Sequence, residues 1–111
     1  MAQPNQEENF MEEGNVAIIN VKFMGDLRAL LQQRAITLAL PPGSTVGDLF
    51  ASLCNSYGEP FTSRVFSGSG ALQHYILVFL DGQNIKELGG LGARLGNGEV
   101  EIVMLPMFEG G

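Results

Sequence analysis

Two residue types that often carry chemistry occur once each in this chain, as Cys54 and His74. A single cysteine excludes an internal disulfide and a cysteine-based zinc site, and a single histidine excludes a paired-histidine metal motif. Cys54 falls within an apolar stripe of helical spacing, which favours a core residue over a nucleophile. His74 comes just before an apolar run, which favours a strand-edge position over a catalytic base. The sequence therefore predicts no self-contained active site and no metal site.

The end of the chain is the more informative feature. It closes with Gly110 and Gly111, shortly after Pro106, which is expected to end the last strand because proline lacks a ladder donor. The segment 106–111 would span roughly 20 Å when extended, so it could enter a narrow channel in another protein. Glycines have no side chain to block that entry, and they leave the terminal carboxylate accessible to a nucleotide phosphate or a sulfur donor. A frayed terminus is the alternative interpretation.

Alternating apolar residues predict the strands that would support this tail. A first strand is expected within 16–24, with Ala17, Ile19, Val21 and Phe23 on its core face. A second is expected within 36–40, and the two would form a hairpin joined by a short helical turn or loop over 27–33. Two further strands are expected within 75–80 and within 99–105. The first and last strands are long and apolar, so we expect both of them near the centre of the sheet.

One helix is clearly predicted. Apolar residues recur at helical spacing from Val46 to Tyr57. Thr45 and Asp48 have the spacing of a capping box, Gly58 provides a C-terminal stop, and Pro60 prevents the helix from continuing. A helix that packs on one face of a mixed sheet makes this an α+β protein.

The 111 residues carry a net charge of −6, and the charge is unevenly distributed. Residues 1–15 contain four glutamates and no basic residue, whereas the other 96 residues contain eight acidic and six basic ones. No basic stripe of the kind that nucleic acids require is present. We predict a disordered acidic leader over 1–15, one domain over 16–105 with a mobile loop at 59–74, and a flexible tail over 106–111. No apolar run approaches the roughly 20 residues that span a bilayer and no signal peptide is apparent, which predicts a cytoplasmic protein without membrane contact.

Several segments together resemble a known family. They are Leu-Pro-Pro-Gly-Ser-Thr-Val-Gly-Asp-Leu at 40–49, Ile-Leu-Val-Phe-Leu-Asp-Gly at 76–82, Gly-Glu-Val-Glu-Ile at 98–102 and the Pro-x-x-x-Gly-Gly end. In this combination the chain is similar to the MoaD/ThiS family of sulfur carriers, over roughly residues 16–111. It is closest to the MoaD branch, the small subunit of molybdopterin synthase. The resemblance implies the ubiquitin-like β-grasp fold, with a mixed sheet and one main helix on one of its faces.

The resemblance also implies a function. An adenylyltransferase of the ubiquitin-activating type would use ATP and magnesium to join AMP to the carboxylate of Gly111. Sulfur from a persulfide donor would then displace AMP and leave a thiocarboxylate. The loaded tail would enter the large synthase subunit and deliver sulfur to a pterin precursor. The chain itself would be a non-catalytic subunit that binds no permanent cofactor.

Partner binding is expected to be mostly apolar. Val103 and Leu105 share parity with Glu101, so we expect them to face away from the helix, although a sheet buried on both faces would need them in its core. Phe108, the aromatic residue of the tail, could anchor a partner, or it could pack on its own domain. The reacting residues implied here are Gly110 and Gly111, and the partner-binding residues are Val103, Leu105, Met107, Phe108 and Glu109.

Other functions remain open at this level. The chain could be a ubiquitin-like modifier that forms isopeptide bonds between Gly111 and lysines. It could be a carrier for thiamine synthesis or tRNA thiolation, or an interaction module whose glycine end has no role.

Overall fold

A computed structural model of the protein describes residues 16–107. The acidic leader and the last four residues lie outside this range. The strands in the described part are β1 (Ala17–Phe23), β2 (Ala35–Leu40), β3 (Ile76–Leu80), β4 (Gln83–Asn84) and β5 (Gly98–Pro106). The α-helices there are α1 (Gly25–Leu31), α2 (Val46–Tyr57) and α3 (Glu59–Val65), and short 3₁₀ helices cover Ile85–Leu88 and Gly90–Gly92.

The strands form one mixed sheet in the order β2-β1-β5-β3-β4. β5 lies at the centre, parallel to β1 and antiparallel to β3. β1 and β2 form the antiparallel pair expected from the sequence. The predicted α+β class and the central positions of the first and last strands are confirmed.

The helices cover one face of this sheet. On β1 the buried residues are those of the predicted parity, Ala17, Ile19, Val21 and Phe23. On β5 the residues buried on the same face are Val100, Ile102 and Met104. The largest buried side chains that the helices contribute are Leu27, Leu49, Phe50, Leu53 and Phe61. These residues belong to a single core cluster, which is the natural result of packing amphipathic helices on a strand face with a period of two.

The main helix, α2, begins with the predicted capping box. The backbone N–H of Asp48 donates to the hydroxyl of Thr45 at 3.1 Å, and the backbone N–H of Thr45 donates to the carboxylate of Asp48 at 2.9 Å. Gly58 ends the helix with a φ of 77°, a conformation that glycine adopts without the strain a side chain would add. Asp therefore completes the box although it is shorter than the usual Glu or Gln.

The prediction of a loop over 59–74 is wrong for its first half, because α3 occupies Glu59–Val65. Pro60 does stop α2, but it also sits in the first turn of the new helix, where a missing N–H costs nothing. Phe61 and Val65, four residues apart, are both fully buried and hold α3 on the core. The segment 27–33, for which a helical turn or a loop was expected, is largely helix α1.

None of the helices within residues 16–107 is long and apolar enough to cross a membrane.

Candidate functional site at the root of the C-terminal tail

The strand that leads to the C-terminus is fixed on both sides. Met24 donates its backbone N–H to the carbonyl of Met104 at 3.0 Å, just beyond the end of β1. On the other side, Met107 donates its backbone N–H to the carbonyl of Tyr75. The chain is therefore hydrogen-bonded to the body of the protein up to Met107. Since β5 is the central strand and is paired on both sides, the sheet fixes the path of the chain as far as Met107.

A glycine at the start of α1 lies against the end of β5. A Cβ built on Gly25 would lie 3.4 Å from Cγ of Pro106, and Gly25 has a φ of 58°. A non-glycine residue would be strained in this left-handed conformation. Gly25 therefore lets the chain turn from β1 into α1 directly beside the last residue of β5.

A charged and aromatic cluster joins α1, α3 and the residue that precedes β3 near the same point. The guanidinium of Arg64 on α3 pairs with the carboxylate of Asp26 on α1 and lies 4.8 Å from the ring centroid of Tyr75. The hydroxyl of Tyr75 donates to the backbone carbonyl of Arg64 at 3.2 Å. The hydrogen bond to Asp26 raises the pKa of Arg64 above its ordinary value, so this cation is permanent. Because the backbone of Tyr75 holds Met107, the cluster connects α1 and α3 to the root of the tail.

The face of the sheet opposite the helices carries an apolar patch next to this root. We define the apolar patch as Leu77 and Phe79 on β3 together with Val103 and Leu105 on β5. Leu77 is paired with Leu105 and Phe79 with Val103, so the four side chains form a block two residues wide and two long. All four are half-buried and none belongs to the core cluster or packs against it. The patch is thus a surface feature rather than part of the hydrophobic core.

A polar border follows the patch on the side of β1. The ammonium of Lys22, which is paired with Val103 in the register, lies 2.9 Å from the carboxylate of Glu101. At the other end, Met107 is 49% exposed and extends the apolar surface into the tail. The apolar patch therefore has a polar border on the side of β1 and continues toward the C-terminus.

The predicted binding residues fall in two groups. Val103 and Leu105 lie on the open face of the sheet, on the opposite face from the fully buried Ile102 and Met104, and Met107 is exposed beyond them. Phe108, Glu109, Gly110 and Gly111 lie outside the described residues. The roles assigned to both groups remain predictions.

Leu77 and Phe79 were missed from the sequence. The run Ile76–Leu80 is apolar at every position, so its two faces could not be separated by alternation. The pairing of β3 with β5 is what places Leu77 and Phe79 in the patch, and a single sequence does not show that pairing.

The two single-copy residues lie in different surroundings. Cys54 is half-buried on α2 and lines an apolar groove of about 350 Å³, together with Phe50, Phe66 and Leu91. His74 precedes β3, and its ring meets the ring of Tyr75 edge to face at a centroid distance of 5.6 Å. Within residues 16–107, no group of three His, Cys, Asp or Glu side chains is arranged to hold a metal ion.

The fold is shared with solved structures. The chain is similar to SAMP1, a small archaeal modifier protein from Haloferax volcanii, with 26% identity, a TM-score of 0.73 and coverage of 85% of this chain and 99% of that one. It is similar to a chain of the BexX/CysO complex from Amycolatopsis orientalis, with 20% identity, a TM-score of 0.65 and coverage of 84% and 99%. It is also similar to a putative molybdopterin converting factor, subunit 1, from Pyrococcus furiosus, with 18% identity, a TM-score of 0.65 and coverage of 83% and 99%.

The chain has the ubiquitin-like β-grasp fold of the MoaD/ThiS-like sulfur carriers. The predicted resemblance to the MoaD/ThiS family is thereby confirmed, whereas the assignment to the MoaD branch stays a prediction. Its structural neighbours comprise sulfur carriers and ubiquitin-like modifiers, and one of them is seen in a complex with a partner protein. No protein-family model and no curated protein sequence matches the chain.

Proposed function

We propose that this β-grasp protein is a sulfur carrier whose reacting group is the terminal carboxylate of Gly111. The observation that carries the proposal is the position of the tail. It continues from the central strand of a sulfur-carrier fold, is hydrogen-bonded to the body up to Met107, and starts beside an apolar patch. A rigid body that presents a side-chain-free acyl group suits a reaction performed by another protein.

The first step is activation of the carboxylate. A carboxylate oxygen of Gly111 attacks the α-phosphorus of ATP, pyrophosphate leaves with its magnesium ion, and an acyl adenylate forms. This step is needed because an oxide is a poor leaving group and AMP is a much better one. The nucleotide and magnesium sites belong to the activating enzyme, an adenylyltransferase of the ubiquitin-activating type.

The second step introduces sulfur. The terminal sulfur of a persulfide donor attacks the acyl carbon and AMP leaves, which gives an acyl disulfide. A second thiol of the donor system then attacks the donor's sulfur in that disulfide. The thiocarboxylate of Gly111 is released. The two sulfur atoms of the donor system are oxidised to a new disulfide as the acyl disulfide is reduced.

The apolar patch is the docking surface in this proposal. Interfaces are best served by a desolvated apolar centre with a polar rim, and the patch has the ion pair of Lys22 and Glu101 along one side. Phe108 and Glu109 would extend the contact along the tail. The activating enzyme and the sulfur-consuming partner would bind the apolar patch in turn. Each of them must bind the folded domain while the tail enters that partner's active site.

For the final acceptor we propose a pterin precursor, with the large subunit of molybdopterin synthase as the partner. The support is the resemblance of segments 40–49, 76–82 and 98–102 to the MoaD branch, together with the fold shared with the converting-factor subunit from Pyrococcus furiosus.

Activation can be tested with the full chain, a MoaD-type activating enzyme, ATP and magnesium, by measuring pyrophosphate release. We expect stoichiometric release with the native chain and none after deletion of Gly110 and Gly111. The matched control is Gly68→Ala, because a methyl group at that glycine would meet no atom within 4 Å. Equal release from the deletion variant would contradict the proposal.

The acceptor can be tested separately by adding the thiocarboxylated chain to a molybdopterin synthase large subunit and the pterin precursor. We expect sulfur to appear in the pterin product and the chain to return to its carboxylate form. If the chain loads with sulfur but no pterin product forms, the carrier function stands and the molybdopterin assignment fails.

A protein modifier is the second candidate, and the similarity to SAMP1 at 26% identity favours it. The same acyl adenylate would then be passed to a lysine amine, which would give an isopeptide bond at Gly111. Digestion of cellular proteins with a protease that cleaves after glutamate should leave a Gly-Gly remnant on lysines if this occurs, because Glu109 directly precedes the two glycines. A complete absence of such remnants, in cells that contain the loaded chain, would leave sulfur transfer as the function.

A further inference from the structure

The two edges of the sheet differ in how open they are. At one edge, β4 has only two residues and runs into a 3₁₀ helix, whose first turn is capped by the Asn84 side chain accepting from the backbone N–H of Lys86 at 2.9 Å. At the other edge, β2 has six residues in extended conformation. Short edge strands resist pairing with other chains, whereas long ones promote it. β2 is thus the edge at which a further strand could be added.

The backbone groups of β2 that point outward can be assigned. Phe23 donates its backbone N–H to the carbonyl of Arg34 at 2.9 Å, which directs the backbone of Arg34 and of every second residue after it toward β1. The intervening residues, Ala35, Thr37 and Ala39, therefore direct their N–H and C=O groups away from the sheet. Within residues 16–107, none of these six groups has a backbone partner. They form a free hydrogen-bonding ladder on the surface.

The usual protections of an edge strand are missing from β2. Natural edges carry lysines, internal prolines or bulges that prevent another chain from pairing. The sequence of β2 is Ala-Ile-Thr-Leu-Ala-Leu, with no charged residue and no proline, and its register with β1 is continuous. The residues of β2 themselves therefore place no charge, proline or bulge in the way of a further strand.

We propose that β2 is a homodimerisation edge, at which two copies of the chain pair antiparallel around a two-fold axis at Thr37. Thr37 then lies opposite Thr37 of the second copy, and Ala35 lies opposite Ala39 of the second copy. The pattern is symmetric about Thr37, as an isologous contact requires. Three residues from each copy exchange six backbone hydrogen bonds in this arrangement.

The flanking residues select this register. A shift of two residues in one direction places Pro41 of the second copy opposite Ala35, and proline has no N–H to donate. The opposite shift brings Gln33 into the ladder next to Gln32, whose φ of 56° ends the extended conformation. Only the register centred on Thr37 uses all the outward groups of both strands.

The side chains fit the same register. On the open face of the sheet, exposed Ala35 and Ala39 are small, and the Thr37 hydroxyl already donates to the Asn20 side chain at 2.8 Å. On the helix side, half-buried Ile36 would lie beside Leu38 of the second copy and cover apolar surface there. Arg34 would lie opposite Leu40 of the second copy, so no like charges meet within the paired strands.

The dimer is expected to be weak. A six-residue edge is only about 20 Å long, which gives an interface below the size of stable complexes. Each copy carries a net charge of −6, so the two copies repel each other over a distance. Association should therefore rise with protein concentration and with salt, because salt screens the repulsion.

The test is sedimentation equilibrium of the full chain over a concentration series at low and high salt. We expect the apparent mass to rise from monomer toward dimer. We expect Ala39→Lys to raise the dissociation constant about tenfold or more, because a lysine on an edge strand must keep its ammonium hydrated and so hinders pairing with another chain. The matched control is Ala71→Lys, which adds the same charge at an exposed site outside the sheet and should dimerise like the native chain.

A second variant checks the hydrogen bonds directly. Thr37→Pro removes one outward N–H while leaving the ladder to β1 intact, since that N–H does not face β1. It should also abolish dimerisation, with unchanged folding by circular dichroism. A native chain that stays monomeric at all concentrations, or a dimer that persists in both Ala39→Lys and Thr37→Pro, would overturn the proposal.

Discussion

The two faces of the central strand show how one stretch of sequence can serve two purposes. Ile102 and Met104 face the helices and are fully buried, whereas Val103 and Leu105, on the same strand, lie half-buried on the open face. All four are apolar, so composition does not distinguish them. The difference comes from what covers each face, and it separates residues that hold the fold from residues that stay partly accessible at the surface.

The largest expected effect tests the covered face. Ile102→Ala should lower the free energy of unfolding by about 2–5 kcal/mol, because it leaves a cavity at a site with no exposed surface. Val103→Ala, the matched change on the open face, should cost about 1 kcal/mol. Urea denaturation of both variants measures the difference. Equal losses would mean that the open face is part of the core.

The next effect tests the open face as a binding surface. Leu105→Ala should lower kcat/KM for adenylation about tenfold, because truncating a central apolar side chain at an interface removes a large part of the binding energy. Leu30→Ala is the control, since Leu30 is 43% exposed on α1, outside the apolar patch. Loss of activity in both variants, or in neither, would contradict the assignment of the patch.

The smallest effect concerns the polar border of the open face. Lys22→Gln removes an ion pair whose side chains are 54% and 41% exposed, so its contribution to stability should be below about 1 kcal/mol and should shrink in salt. A double-mutant cycle with Glu101→Gln measures it. A coupling that is large and independent of salt would show that this border is more rigid than its exposure indicates.

Much of the fold could be predicted because local patterns determine it. The parity of β1 identified its core face, and the spacing of Thr45 and Asp48 identified the start of the main helix. The helix α3 was missed because Pro60 was interpreted only as a stop, whereas proline also favours the first turn of a helix. Such dual signals are resolved by tertiary contacts, here the burial of Phe61 and Val65.

The candidate site was predicted less completely, for a related reason. The parity argument placed Val103 and Leu105 on the face away from the helix, which is where the structure has them. Leu77 and Phe79 could not be included because the antiparallel pairing that brings β3 beside β5 is a long-range contact. The bracing of the tail root by Arg64, Asp26 and Tyr75 likewise joins residues far apart in sequence.

The central claim is that the C-terminal carboxylate of Gly111 is the reacting group. The most direct measurement is tandem mass spectrometry of the C-terminal peptide of the chain, purified from its own cells under conditions that preserve thiocarboxylates. The account predicts a fraction of molecules in which sulfur replaces one oxygen at Gly111. A terminus found only as the free carboxylate, in cells whose activating enzyme is present and active, would contradict it.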